Sequence, residues 1–273
     1  MGLCDLIWFS THFFSSLLLK KLVLHLARVM VSTRANIFSQ LEKEILHLQR
    51  FKPLHAGDID AGLGLIKEAF PNSSFPTGAI HEFFCSGNEN STASSGFIAG
   101  IMSSLMKCGA PSVWVTASRL IFPPALKFFG IDPQKIIFIQ TKKPKDLLWT
   151  IEEALKCDSV CSVVGEIGEI NLFESRRLQL AVEESKVTGF VLRRNPKNLA
   201  TSFVTRWRIA SLPSETESNL PGVGFPKWNV ELLKVRNGKP GSWRMSWKNG
   251  QFELDEKDKI LFEVQEEAQR KIV

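Results

Sequence analysis

The sequence predicts an α/β fold, a mostly parallel sheet flanked by helices and completed by an antiparallel extension toward the C-terminal end. Three observations predict it. Apolar strand-like runs alternate with segments of helical period between residues 79 and 193, which implies right-handed βαβ units with both sheet faces covered. After residue 205 the helical segments stop, and short alternating runs are separated by Gly, Pro and Asn turns. The stretch from Phe75 to Gly100 runs turn, apolar strand, loop of small polar residues, helix, the order in which backbone N–H groups and a helix N-terminus cradle phosphate.

The elements follow in order. Strands are predicted at Ala79–Cys85, Ser112–Thr116, Ile136–Gln140, Val160–Gly165 and Thr188–Arg193, and helices at Ser95–Lys107, near Pro124–Phe129, Lys145–Lys156 and Phe173–Glu184. Arg206–Ser211, Trp228–Arg236, Ser242–Trp247 and Gln251–Leu254 form the predicted antiparallel extension. Upstream, Ser32 or Thr33 could cap a helix carrying Ile37, Phe38, Leu41, Ile45 and Leu48 on one stripe. Residues 53–72, with Gly57, Gly62, Gly64 and a short helical piece, read as a connector. The organisation is therefore 1–29, an upstream or apolar segment; 30–74, helix and connector; 75–254, the main domain; and 255–273, a charged tail with a helical hint at Ile260, Leu261, Val264 and Ala268.

Residues 6–19 are apolar but interrupted by Ser, Thr and His and followed by Lys20 and Lys21. The run is too short for a bilayer span, and its charge lies on the wrong side for a signal peptide. We expect an upstream extension with translation starting at Met30, the rival being an interfacial anchor. The expected location is the cytoplasm, with no membrane partner. A net charge of +6 and a pI near 9.1 favour nucleic acid or acidic partners without choosing between them. Cysteines at 4, 85, 108, 157 and 161 have no C-x-x-C spacing, so neither a disulfide framework nor a zinc site is expected. Cys157 and Cys161 are expected to be small buried residues. The five histidines, 12, 25, 47, 55 and 81, show no ligand spacing, and no metal or cofactor is expected. His81 is read as a packed or edge residue.

The phosphate-loop layout lacks its chemistry. Counted from Gly87, the pattern G-x-x-x-x-G-K-[ST] places Thr92, Ala93 and Ser94 where Gly, Lys and Ser/Thr belong. Nothing there neutralises a γ-phosphate. Counted from Cys85 instead, the lysine position falls on Ser91.

Several separated blocks resemble known proteins. V-T-A-S-R-L-I-F-P-P-A-L-K-F-F-G-I-D-P-Q-K-I-I-F-I-Q, residues 115–140, and F-P-T-G-A-I-H-E-F, from Phe75, resemble the RecA core. L-E-K-E-I-L-H-L-Q, R-R-L-Q-L-A-V-E, T-G-F-V-L-R and L-P-G-V-G-F-P-K-W-N-V-E-L-L-K-V-R-N-G-K-P-G-S-W are similar to the ImuA family, RecA/SulA-like proteins that accompany error-prone translesion DNA synthesis. The resemblance covers roughly residues 35–254. It implies a RecA-like core and a place in SOS-type repair beside RecA, a Y-family-like companion protein and a translesion polymerase. Within it, the water-orienting glutamate of RecA-type ATPases matches Ser118, and the magnesium-binding aspartate matches Gly165, with Glu166 one place late. We expect no catalytic residue and no ATPase activity. The rival expectations are a SulA-like inhibitor of cell division and an ATPase of unorthodox chemistry.

Two basic groups complete the prediction. Lys234 and Arg236, in L-L-K-V-R-N-G-K-P-G, resemble the Lys-x-Arg that hexameric helicases of the superfamily send into a neighbour's ATP site, and they share one strand face. The other reading is a basic hairpin with an Asn237-Gly238 turn. Arg193, Arg194 and Lys197 stand where RecA has its second DNA-binding loop, and Arg206 and Arg208 share a strand face with Trp207 on the other. These five are candidate contacts to single-stranded DNA, the alternative being a solvated basic edge. Trp207 is predicted to be core. Phe225 and Trp228 are either an exposed partner anchor or aromatics folded back on the sheet.

Overall fold

The computed structural model describes residues 61–117, 121–215 and 224–255. The segment 1–29, the predicted helix after Ser32, Ser118 and the charged tail beyond Asp255 lie outside the described residues.

Nine strands form one sheet in the order β3-β2-β4-β5-β1-β6-β7-β8-β9. They are β1 (Ile80–Cys85), β2 (Ser112–Thr116), β3 (Ile136–Gln140), β4 (Ser162–Ile167), β5 (Thr188–Arg194), β6 (Thr205–Glu215), β7 (Phe225–Val235), β8 (Gly241–Lys248) and β9 (Gln251–Leu254). The strands from β3 through β6 are parallel, and β7, β8 and β9 are antiparallel. One predicted assignment needs correction. β6 belongs to the parallel half, because the connection from β5 returns across the sheet and sets Arg206 beside Glu82 of β1. That crossover contains no helix, so its polarity was not visible in the hydrophobic period.

Helix α1 (Gly87–Leu105) packs on one face, and α2 (Pro144–Lys156) and α3 (Leu172–Ser185) pack on the other. The α1 face gathers Phe83, Phe97, Trp114, Phe190, Trp207, Trp228, Trp247 and Phe252. Their rings meet edge-on, tilted or stacked, as between Phe97 and Phe252 at 4.9 Å and between Phe83 and Trp207 at 6.0 Å. Gly100 of α1 is required here, since a Cβ would stand 2.4 Å from the Phe252 ring. On the opposite face Leu147, Ile151 and Leu155 of α2 meet Val113, Val115 and Val163, the four-residue spacing that puts them on one stripe. A capping box of Asn171 and Glu174 starts α3.

The core extends further back than predicted. Ala61, Leu63, Ile66, Ala69 and Phe70 are buried in the α1-side core, with Gly64–Ala69 forming a 3₁₀ helix. Residues 61–74, expected as connector, thus supply part of the core. Gly238 explains one close approach: a Cβ there would meet the Ala69 carbonyl at 2.2 Å. The Asn237-Gly238 turn is seated on this 3₁₀ helix, with Lys239 donating its N–H to the same carbonyl. His81 is packed, as expected, between Phe75 and Phe190. Cys161 is half-buried but Cys157 is exposed, a correction that follows from its place at the C-terminal end of α2.

Candidate functional site

The predicted phosphate loop is not a loop. β1 ends at Cys85, Ser86 is the N-cap, and α1 begins at Gly87. Gly87 makes the turn possible by adopting φ +73°, where a side chain would be strained. The helix therefore begins eight residues before the predicted Ser95. From Ser91 onward the backbone N–H groups fall inside the helical ladder, leaving only those of the first turn free. Three hydroxyls that suggested a loop bond to the same helix instead, while Glu89 and Asn90 accept from Ser211 of β6 at 2.6 and 3.3 Å. The Thr92 hydroxyl donates to the Asn88 carbonyl at 3.0 Å, Ser94 to Asn90 at 2.8 Å and Ser95 to Ser91 at 3.0 Å. Ala93 and Ser94 are buried.

The position that the resemblance matches to a magnesium ligand, Gly165, is closed as well. A Cβ at Gly165 would lie 2.4 Å from Ile151 of α2. Position 165 faces the packed α2 side, while Glu166 faces the α1 side. Both oxygens of Glu166 are engaged: Trp114 Nε1 donates at 3.1 Å, Thr116 Oγ1 at 2.9 Å, and Arg194 lies at 3.6 Å. Beside this cluster, burial pushes the Cys85 thiol up from its ordinary range, and the hydrogen bond with Ser91, then the Arg194 charge, moderate the effect.

The candidate basic residues prove to be connected, in a way spacing did not predict. Glu82 of β1 is fully buried and lies at the centre. Its carboxylate accepts from Arg193 at 2.7 Å, from Arg206 Nε at 2.7 Å and from Thr201 Oγ1 at 3.0 Å. Both guanidinium groups also lie over the Phe84 ring, at 5.7 and 4.8 Å. From there four cations reach the backbone of one crossover segment. Arg193 donates to the Asn198 carbonyl at 2.8 Å and Arg206 to that of Leu199. Lys234 donates to the Thr201 carbonyl at 3.3 Å and Arg236 to that of Ser202 at 3.0 Å. Burial, and then the neighbouring Arg206 guanidinium, lower the Lys234 ammonium from its ordinary value.

Arg193 therefore cannot be a DNA contact, because its side chain is wholly buried against Glu82. Arg206 is mostly buried in the same network, with 14% of its side chain exposed. Lys234 and Arg236 share a face as predicted and are engaged within their own chain. The surface cations of the predicted set are Arg194, Lys197 and Arg208, the last paired with Glu231 at 3.1 Å. Glu169 anchors the segment from outside, accepting the Lys197 N–H at 2.8 Å, and this bond chiefly lowers its carboxyl below the ordinary value. Trp207 and Trp228 are both core residues. The missed residue is Glu82, for which a single acid in an otherwise apolar strand is the available sequence signal.

No protein-family model matches the chain. Protein ImuA of Caulobacter vibrioides, from strain NA1000 / CB15N and from strain ATCC 19089 / CIP 103742 / CB 15, is 32% identical over 191 residues, spanning 65% of this chain and 78% of the relative. The chain belongs to the ImuA family. Among solved structures, the RadB recombinase superposes with a TM-score of 0.50 at 13% identity, covering 72% of this chain and all of that one. A KaiC-like protein of Pyrococcus horikoshii OT3 gives a TM-score of 0.49 at 16% identity over 72% of this chain and 98% of its own. The fold of this ImuA-family chain is RecA-like, and its strand-to-helix junction is shaped by Gly87. Among the described residues no helix is long and apolar enough to cross a membrane.

Proposed function

We propose that this protein is a RecA-fold adaptor without ATPase activity of its own. It acts in the cytoplasm in SOS-type DNA repair and translesion synthesis, binding RecA, a Y-family-like companion protein and a translesion polymerase. The observation that carries the reading is the direct passage from β1 through Ser86 into α1. A phosphate cradle needs several non-helical N–H groups, and here those beyond the first turn belong to the helix. The lysine position holds Ala93 and the magnesium-ligand position holds Gly165. Each missing part contributes orders of magnitude to phosphoryl transfer. Membership of the ImuA family supports the repair setting through what that resemblance implies. Contact with single-stranded DNA falls to Arg194, Lys197 and Arg208, the members of the predicted DNA-contact set whose side chains reach the surface most.

The test is a defined mixture of this chain with RecA on single-stranded DNA, read by co-sedimentation, filament length and phosphate release. Binding to RecA with no phosphate release by the chain alone is expected. Release by the chain alone establishes the unorthodox ATPase instead, and binding to a tubulin-like division protein in place of RecA establishes the SulA-like inhibitor. A Lys234→Ala, Arg236→Ala double variant that leaves RecA binding and RecA ATPase unchanged removes any role for that pair as a finger acting on a neighbour's nucleotide.

A further inference from the structure

Two cysteines far apart in sequence meet at the end of the sheet opposite Ser86. A 3₁₀ turn, Met106–Cys108, continues α1, and Gly109 stops it at φ +87°. The chain passes through Ala110 and Pro111 into β2, and Cys161 stands immediately before β4, the parallel neighbour of β2. Its N–H donates to the Pro111 carbonyl at 2.9 Å. The Cys161 thiol donates to the Ala110 carbonyl at 3.6 Å and lies 3.1 Å from the Ser112 hydroxyl, itself 2.8 Å from that of Ser162. Cys161 is thus tied by backbone and side chain to the turn that Cys108 begins, and the two thiols are close enough to interact.

The two sulfurs stand in different surroundings. Cys108 is exposed and Cys161 is half-buried. Burial raises the Cys161 thiol above its ordinary range, the Ser112 hydrogen bond opposes this, and the neighbouring Cys108 adds to it. An oxidant arriving from solvent therefore meets Cys108 first, with Cys161 held beside it as a thiol. An exposed thiol backed by a second one is the arrangement in which a sulfenic acid is resolved to a disulfide before it is oxidised further. The other described cysteines are placed differently. Cys85 is buried, with its thiol on the Arg193 carbonyl at 3.5 Å, and Cys157 is exposed at the C-terminal end of α2.

We propose that Cys108 and Cys161 form a peroxide-oxidisable dithiol, a modification site at which a hydroperoxide bonds the end of α1 to the start of β4. In the first step the Cys108 thiolate attacks one oxygen of hydrogen peroxide and the O–O bond breaks. This leaves a sulfenic acid on Cys108, and the departing hydroxide takes up the thiol proton as water. In the second step the Cys161 sulfur attacks that of Cys108, the S–S bond forms, the S–O bond breaks, and the hydroxide leaves as water with the Cys161 proton. The two sulfurs lose two electrons and the peroxide gains them. In a reducing compartment the bond is transient, because dithiol reductants return both thiols. The proposal does not depend on the adaptor reading.

The test treats the purified, reduced full chain with hydrogen peroxide and maps the cysteines by mass spectrometry of non-reduced digests. A peptide pair joined through Cys108 and Cys161 is expected, forming about tenfold or more faster in the folded protein than in urea, where the two thiols are no longer held together. The oxidised protein should melt roughly 5 °C higher, and dithiothreitol should reverse the rise. In Cys161→Ser the Cys108 sulfenic acid should accumulate and be captured by dimedone, whereas Cys157→Ser should form the bridge at the wild-type rate. The wild-type rates in buffer and in urea decide the matter even if a variant fails to fold. The idea is overturned by a bridge that includes Cys157 or joins two chains, by a bridge that forms as fast in urea, by Cys108 passing to sulfinic acid in the wild-type protein, or by no reaction at Cys108.

Discussion

The start of α1 and the crossover at residues 198–202 both concentrate polar groups beside the parallel sheet, yet they use them in opposite ways. In the first turns of α1 the hydroxyls of Thr92, Ser94 and Ser95 return to carbonyls four residues earlier, so these three side chains contribute to one helix and to little else. At the crossover, Glu82 connects residues more than a hundred positions apart, and four cations hold backbone that no helix or strand satisfies. Local polar bonds compete with other local bonds and are nearly neutral. Buried charges joined over long range are costly to leave unpaired. The candidate ATP region should therefore tolerate change, and the basic region should not.

The sharpest way to break this contrast is Glu82→Ala. It leaves Arg193 buried with its main counter-charge gone and frees Thr201 and Arg206 together. A loss of about 3–5 kcal/mol is expected, the range for removing one partner of a buried pair. Urea unfolding measures it, and faster amide exchange at residues 198–204 should accompany the loss if the network holds the crossover. A loss below about 1 kcal/mol would mean that the carboxylate is dispensable, as it would be at an exposed pair.

His81 tests the same side of the comparison through pH. Burial, opposed only in part by the bond to the Pro76 carbonyl, lowers its pKa from 6.5 to about 3. The unfolded chain takes up a proton near 6.5 that the folded chain refuses until about 3, so this contribution is complete above 6.5 and is lost as pH falls through that window. Within it the folded state should lose about 1.4 kcal/mol per pH unit from this group. His81→Gln should show a shallower fall of unfolding free energy between those limits. An unchanged slope would indicate that other groups cause the acid sensitivity.

The same contrast decides what was legible in the sequence. Strands β2, β3 and β9 lie within the predicted bounds because apolar runs between turn residues are a local signal. The first turns of α1 were misread because Ser, Thr, Asn and Gly favour loops by local bonding, and here Gly87 and the packing of Phe97, Ile98 and Ile101 override that preference. The basic residues were seen but their partner was not. Arg193 looks the same in sequence whether it faces phosphate or Glu82, since only the fold sets β5 against β1.

The smallest expected effect sharpens the other side. Thr92 is exposed, it sits inside α1, and its hydroxyl bonds only to the Asn88 carbonyl, an acceptor the helix ladder already uses. Thr92→Ala removes a bond that competes with the ladder and supplies a better helix former, so a gain of about 0.5 kcal/mol is expected. Thermal and urea unfolding should both show it, with no change in the slope against denaturant. If position 92 served a phosphate loop, the chain there would leave the helix to bind nucleotide. Alanine would then weaken any nucleotide-dependent stabilisation while raising stability without nucleotide. An unfolding midpoint that is higher in Thr92→Ala, and that ATP with magnesium leaves unmoved in both proteins, is the outcome a permanently helical α1 requires.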